Sequence, residues 1–306
     1  MDYELAIIGA GPAGYSAAIY AVRAGIKIVM FERGDGGGRA VLSPKIENYA
    51  GFETISGAEL MEKMKHHASK YADIHYFEEV KTIAPSGKTF TIETTKTKYI
   101  VGAVLLCTGT EHKTLGIPSE QEFQGKGVSY CATCDGFFFK GKKVAVIGGG
   151  NTALMEAIFL KQIGCTEVTL IHRREQLRAE NIYEQEARAK HIHILLNKEI
   201  NTITGTDTVQ AIHLKDVGTG TPSKLAVDGV FVSIGETPQN SLAKHLGVHL
   251  DEHGYIMVDS QQRTNIKGVY AAGDITGGLR QVVTACAKGA VAALSSTEVL
   301  GKKYPY

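Results

Sequence analysis

At 306 residues the chain is long for one domain, and 43% hydrophobic against 21% charged residues is ordinary for a globular protein, so two domains with separate cores are expected. Lys plus Arg (33) nearly balances Asp plus Glu (32), which gives no electrostatic reason to expect nucleic acid or an anionic membrane as partner. No apolar run approaches the roughly 20 residues that span a bilayer, and the acidic start Met1-Asp2-Tyr3-Glu4 is unlike a signal peptide.

Residues 4–8 read as a short buried strand. Gly9-Ala10-Gly11-Pro12-Ala13-Gly14 follows at once, then a helix from Tyr15 to Ala24 closed by Gly25, and a second strand from Ile26 to Phe31 that ends at Glu32. This is the dinucleotide fingerprint in its required context of strand, Gly-rich turn, helix and strand. The glycines let backbone and pyrophosphate approach closely, and the helix N-terminus supplies N–H donors and a favourable dipole. Glu32, 18 residues after Gly14, stands where an acid accepts hydrogen bonds from a ribose 2′-hydroxyl.

Residues 34–52 form a loop rich in special-geometry residues, including Gly36-Gly37-Gly38-Arg39 and Ile46-Glu47-Asn48. Gly57 to Tyr71 reads as an amphipathic helix, and short strands follow through Leu106 to the turn Cys107-Thr108-Gly109-Thr110. Gly116-Ile117-Pro118 marks a crossing between domains. Cys131-Ala132-Thr133-Cys134-Asp135-Gly136 comes next: two cysteines able to close a small reducible disulfide, with an acid beside the second.

The dinucleotide pattern then recurs. Lys143 to Ile147 form a strand, Gly148-Gly149-Gly150-Asn151-Thr152-Ala153 a turn, Leu154 to Ile163 a helix ended by Gly164, and Val168 to Ile171 the next strand. Aligning Gly9 with Gly148, with one inserted residue, puts His172 where the first copy has Glu32, followed by Arg173, Arg174 and Arg178. An acid there would repel a 2′-phosphate, whereas guanidinium groups pair with it in forked contacts. A solvated basic helix start is the plainer alternative. On the repeat alignment, copy one takes a dinucleotide without a 2′-phosphate and copy two takes NADP(H).

Residues 190–235 read as strands and turns with a polar hairpin tip at Asp216 to Ser223, and the chain crosses back near 236–243. A strand running into Gly273-Asp274, then Arg280-Gln281, precedes a small-residue helix from Val283 to Leu300. Asp274 suits the hydroxyls of a bound ligand and equally suits a helix cap. Five cysteines are few and odd in number, unlike a secreted disulfide framework, so Cys107, Cys165 and Cys286 are expected as buried structural thiols of a cytoplasmic enzyme with one redox pair. A structural zinc site wants about four ligands, and no second cysteine pair exists to supply them.

Taken in order, Gly9–Gly14 with Glu32, Cys131–Gly136, Gly148–Ala153, His172-Arg173-Arg174 with Arg178, and Gly273-Asp274 through Arg280-Gln281 resemble the low-molecular-weight thioredoxin reductases of the pyridine nucleotide–disulfide oxidoreductase class over essentially the whole chain. The resemblance implies an α/β fold of two Rossmann-like three-layer dinucleotide-binding domains: an FAD domain from residues 1–113 and 243–306, with an NADPH domain, 114–242, inserted and carrying the redox disulfide. It implies thioredoxin or a thioredoxin-like protein as substrate, a homodimer, and a large rotation between domains. Carried over by position, Gly9, Gly11, Pro12, Ala13, Gly14, Glu32 and Arg33 would hold the ADP half of FAD. Gly38, Arg39, Asn48, Val80, Gly109, Gly273, Asp274, Arg280 and Gln281 would surround the rest. Gly148, Gly150, Asn151 and Thr152 would hold the NADPH pyrophosphate, and His172, Arg173, Arg174 and Arg178 the 2′-phosphate end. Cys134 would face the flavin, Cys131 would attack the substrate disulfide, and Asp135 would serve as acid or base.

Two positions depart from the family pattern. Gly37-Gly38-Arg39-Ala40 replaces Gly-Gly-Gln-Leu, and Met155-Glu156 replaces two consecutive acids. Relatives fed by ferredoxin or a deazaflavin, and small-molecule dithiol oxidases, are therefore the alternative enzymes. A flavin-binding carrier without turnover is the non-enzymatic one.

Overall fold

The computed structural model describes residues 2–43 and 45–304. Contacts divide the chain into two compact units. One comprises residues 2–43, 49–111 and 237–304, and the other comprises Lys45–Asn48 and His112–Glu236. No helix among the described residues is long and apolar enough to cross a membrane.

In the first unit the strands Asp73–His75, Ile28–Phe31, Tyr3–Ile8 and Lys98–Leu106 lie side by side in parallel. Ile28–Phe31 and the last halves of Tyr3–Ile8 and Lys98–Leu106 read as apolar runs, buried because both sheet faces are covered there, whereas Asp73–His75 is a partly exposed edge strand. Lys98–Leu106 is long enough to serve two partners on its far edge. Its first half pairs antiparallel with Thr89–Thr94, and its last residues pair parallel with Val269–Ala271. The register aligns Ile8 with Phe31 and with Leu106, and Leu106 with Ala271. Four chain segments therefore leave the sheet together at one edge, the edge where open α/β sheets bind ligands.

The first helix spans Pro12–Arg23, beginning three residues before the sequence reading placed it. Proline at the first helical position loses no intrahelical hydrogen bond there, so the helix starts inside the glycine motif. It packs against the helix Val282–Ser295 so closely that a Cβ added at Gly289 would run into the Ala13 backbone. That last helix stops at Ser295 rather than Leu300. Gly289→Ala tests the packing, because alanine is the better helix former by about 1 kcal/mol while overpacking costs about 1–3 kcal/mol. The expected result is a lowered urea midpoint; an unchanged or raised midpoint would show that the two helices separate without cost.

The second unit repeats the plan. Its parallel sheet runs in the order His193–Leu195, Glu167–Ile171, Lys143–Ile147, Gly229–Val232, Val128–Ser129. Ile147, Ile171, Leu195 and Val232 end in register. The helix Asn151–Gln162 again begins within the glycine motif, at its fourth residue. A helix at Asn181–Ala189, unread from the sequence, carries much of its apolar content as alanine and buries only Ala187. Three antiparallel strands, Lys198–Gly205, Val209–Asp216 and Pro222–Ala226, complete the unit.

Candidate active site

The glycines of the first unit divide their work. Gly9 has φ +107°, a conformation that L side chains rarely adopt, and makes the turn off the strand. At Gly11 the atom nearest to an added Cβ is Gly38 Cα at 3.9 Å, so the loop stays open to a close-approaching group. At Gly14 a Cβ would collide with the Gly9 carbonyl, so the third glycine sets how tightly helix meets strand. A dinucleotide pyrophosphate fits such a cradle.

Glu32 ties the cradle together. One carboxylate oxygen accepts the Ala10 N–H at 2.9 Å and the other accepts the Gly34 N–H at 2.8 Å. Arg33, named with it from the sequence, pairs with Glu111 on the exposed rim. Gly109 (φ +67°) has open space where a side chain would stand, and Val80 is buried at the start of its strand. Arg39 donates to the Thr110 hydroxyl and stands 4.0 Å from the Asp274 carboxylate. The departure from glutamine thus brings a cation to the acid that follows Gly273. Lys288, half-buried, donates to the Thr276 hydroxyl at 2.9 Å and the Gly277 carbonyl at 2.6 Å. Burial depresses its pKa, with Asp274 acting the other way. Gln281 closes a capping box with Thr284, and Arg280 donates to the Tyr255 hydroxyl at 3.2 Å. Asn48 belongs to the short segment grouped with the second unit.

In the second unit a Cβ at Gly148 would meet the Ser233 carbonyl, whereas Gly150 has nothing within 4 Å. Asn151 and Glu180 clasp each other: Asn151 Nδ2 donates to the Glu180 carboxylate at 2.7 Å, and the Glu180 N–H donates to Asn151 Oδ1 at 2.8 Å. The Gly149 carbonyl accepts from the Arg178 and Ala179 amides, which turns the Arg178 loop back onto the glycine turn. A cavity of about 670 Å³ opens here, lined by Arg173, Arg174 and Arg178 together with Gly148 and Gly149. His172 lines it as well, yet only 6% of its surface is exposed and its ring fills the space beside Gly149. Burial, then the neighbouring Arg178, lowers its pKa and favours the neutral ring. His172 is a wall of this chamber, and its charged lining is Arg173, Arg174 and Arg178 with the acid Glu199 among them. Lys113 and Lys198 also line it; each is a lone basic residue in an unremarkable sequence context, so pattern alone does not single it out.

Cys131 and Cys134 form a disulfide, with Cα atoms 5.3 Å apart. Cys131 caps the short helix Ala132–Asp135, and its Sγ accepts the Cys134 N–H at 3.2 Å. Ser129, unread from the sequence, joins the pair to the acid: its hydroxyl donates to Asp135 Oδ2 at 2.6 Å while its oxygen accepts the Cys131 N–H at 3.1 Å. Asp135 Oδ1 is buried without a hydrogen-bond partner. Burial pushes the Asp135 carboxyl above its ordinary pKa, opposed by the Ser129 hydrogen bond. Such a carboxyl can hold a proton beside a thiol and release it. The other thiols lack that setting. Cys107 and Cys165 are buried, and burial raises both pKa values, that of Cys165 to about 11. Cys286, expected buried, is only partly so, and burial still pushes it to about 11. Among the described residues no group of three or more His, Cys, Asp or Glu is placed to hold a metal ion.

Residues 3–289 match the model of a family described as pyridine nucleotide-disulphide oxidoreductase. The chain is 44% identical to the thioredoxin reductase of Treponema pallidum, over 95% of each chain. It is 40% identical to that of Bacillus subtilis, over 96% of this chain and 93% of the relative. Among solved structures it is similar to the thioredoxin reductase from Streptococcus pyogenes, with a TM-score of 0.93 at 37% identity over 98% of both chains. With the thioredoxin reductase of T. acidophilum the TM-score is 0.66 at 42% identity, over 97% of this chain and 98% of the other. Two glycine cradles, a cysteine pair with a buried acid, and matches of this extent lead to one conclusion: the chain belongs to the pyridine nucleotide-disulphide oxidoreductase family, in the group that holds the thioredoxin reductases.

Proposed function

We propose that the chain is a flavin-dependent thioredoxin-disulfide reductase that passes electrons from NADPH through FAD to Cys131–Cys134 and on to the disulfide of a thioredoxin-like protein. In this reading residues 1–113 and 243–306 bind FAD, residues 114–242 bind NADPH, and the enzyme works as a cytoplasmic homodimer. The observation that carries it is the disulfide with its buried, hydrogen-bonded acid in a chain that also holds two differently charged dinucleotide cradles. Glu32 sits where a free ribose hydroxyl would be recognised, and Arg173, Arg174 and Arg178 where a 2′-phosphate would be.

Bound FAD would supply the two-electron exchange between reduced nicotinamide and the disulfide. The chain's own residues do the rest. In the reduced pair the Cys131 thiolate attacks one sulfur of the substrate disulfide, forming a Cys131–substrate disulfide and expelling a substrate thiolate. Asp135, holding a proton at its carboxyl, protonates that leaving sulfur. Cys134, deprotonated by the Asp135 carboxylate, then attacks Cys131 Sγ. That releases the second substrate thiolate and restores the Cys131–Cys134 disulfide.

The test is steady-state reduction of a thioredoxin disulfide by the FAD-loaded enzyme with NADPH, NADH or reduced ferredoxin as donor. Thioredoxin-dependent oxidation of NADPH, with NADH at least roughly tenfold poorer in kcat/KM, is expected. Turnover with ferredoxin alone would overturn the donor assignment, and no turnover with any donor would overturn the enzyme.

A further inference from the structure

The cationic chamber of the second unit has a further basic wall. Lys198 lines the same cavity as Arg173, Arg174 and Arg178. The strand it begins is stitched to the arginine loop: the Lys198 N–H donates to the His172 carbonyl at 3.0 Å, and the Asn197 N–H to the Arg174 carbonyl at 3.2 Å. The carbonyl of the same Asn197 accepts the Val217 N–H at 2.8 Å from the tip of the neighbouring hairpin.

The Lys198 ammonium already has a counter-ion. Its Nζ donates to Asp216 Oδ2 at 2.9 Å, and the two residues face each other across antiparallel strands. Asp216 is held in place on its other side, where Oδ1 accepts the Gly218 N–H at 3.1 Å, the Thr219 N–H at 2.9 Å and the Thr219 hydroxyl at 3.1 Å. Lys198, then Thr219, holds the Asp216 carboxyl well below the usual carboxylate range, so it is charged at neutral pH. Both side chains keep some contact with water, at 24% and 20% exposure. Asp216, which is not itself part of the lining, therefore neutralises one cation of the wall. A phosphate monoester carries close to two negative charges at pH 7 and offers three acceptor oxygens.

We propose that Lys198 is a specificity residue for the 2′-phosphorylated dinucleotide and that Asp216 is its resident counter-ion, from which a bound phosphate draws the ammonium. This rests on the reading of the chamber as the NADPH 2′-phosphate site. It makes two predictions of opposite sign. Lys198→Met removes a cation and weakens binding. Asp216→Asn removes the competing charge, keeps a carbonyl oxygen for the Gly218 and Thr219 donors, and strengthens binding.

The test is calorimetric titration of the FAD-loaded enzyme with 2′,5′-ADP and, in parallel, with 5′-AMP. For a partly exposed, charge-assisted contact the expected change in Kd for 2′,5′-ADP is roughly three- to tenfold upward in Lys198→Met and about two- to threefold downward in Asp216→Asn. Lys198→Arg keeps the charge and should bind about as tightly as the parent, while 5′-AMP should distinguish none of the variants. Wild-type protein that binds 2′,5′-ADP no better than 5′-AMP would remove the 2′-phosphate reading, and this proposal with it. A wild-type preference that Lys198→Met leaves intact would overturn the proposal alone. So would equal weakening in Lys198→Met and Asp216→Asn, which would reduce the pair to a structural clasp.

Discussion

Cys131→Ser is expected to abolish reduction of a thioredoxin disulfide while leaving reduction of the bound flavin by NADPH intact. A serine hydroxyl is not ionised at neutral pH and cannot form the mixed disulfide, so the loss is complete within detection rather than a fractional slowing. Cys134→Ser should abolish turnover equally. It differs in keeping the attacking thiol, so it should accumulate a stable mixed disulfide with thioredoxin, visible as a covalent adduct on a non-reducing gel. Cys131→Ser forms no such adduct. The two serine variants together separate attacker from resolver: the resemblance assigns the attack to Cys131, whose sulfur also caps the short helix and accepts the Cys134 N–H. Trapping by Cys131→Ser and not by Cys134→Ser would reverse the assigned roles.

The second large effect is expected at the acid. Asp135→Asn should lower kcat with thioredoxin by roughly 10²-fold, the lower end of what general acid–base groups supply, with flavin reduction by NADPH unchanged. The pH dependence carries the sign. Burial raises the Asp135 pKa in the folded chain, so the acid form persists above the ordinary carboxylate range and declines as pH rises through that raised value. Turnover that needs the proton on Asp135 should fall on that limb. Ser129 donates to Asp135 and acts to lower the pKa, so Ser129→Ala should move the limb to higher pH. Asp135→Asn should remove it. The same linkage reaches stability: a carboxyl with a raised folded pKa contributes stability that is present at low pH and lost as pH rises through that value. Pre-steady-state traces of substrate reduction against pH give the profile. An unshifted limb in Ser129→Ala would leave Ser129 with packing alone.

Much of the site is legible from short-range pattern. The two glycine motifs declare themselves because phosphate-binding turns demand glycine at fixed offsets beside a strand and a helix, and those demands are local. The contrast of Glu32 with the arginines after His172 follows from aligning the two copies. The pattern places the first helix late, since a proline and small residues weaken the hydrophobic period; the structure starts it at Pro12, inside the motif. It also reads His172 as part of the phosphate end, where burial against Gly149 makes it a neutral wall.

Sequence by itself determined the chemistry available to this protein: a reducible Cys-x-x-Cys with an adjacent acid, one cradle marked by an acid and one marked by arginines. These are covalent or nearest-neighbour properties, set by residue type at short spacing. Only the tertiary structure decided which distant groups act on them. Strand register brings Asp216 to Lys198 across 18 residues, and Lys198 lines the same cavity as the arginine loop. A strand ending at Ser129 carries that hydroxyl to Asp135. Burial then sets the proton affinity of Asp135 through desolvation, a property of the packed surroundings that no stretch of sequence contains.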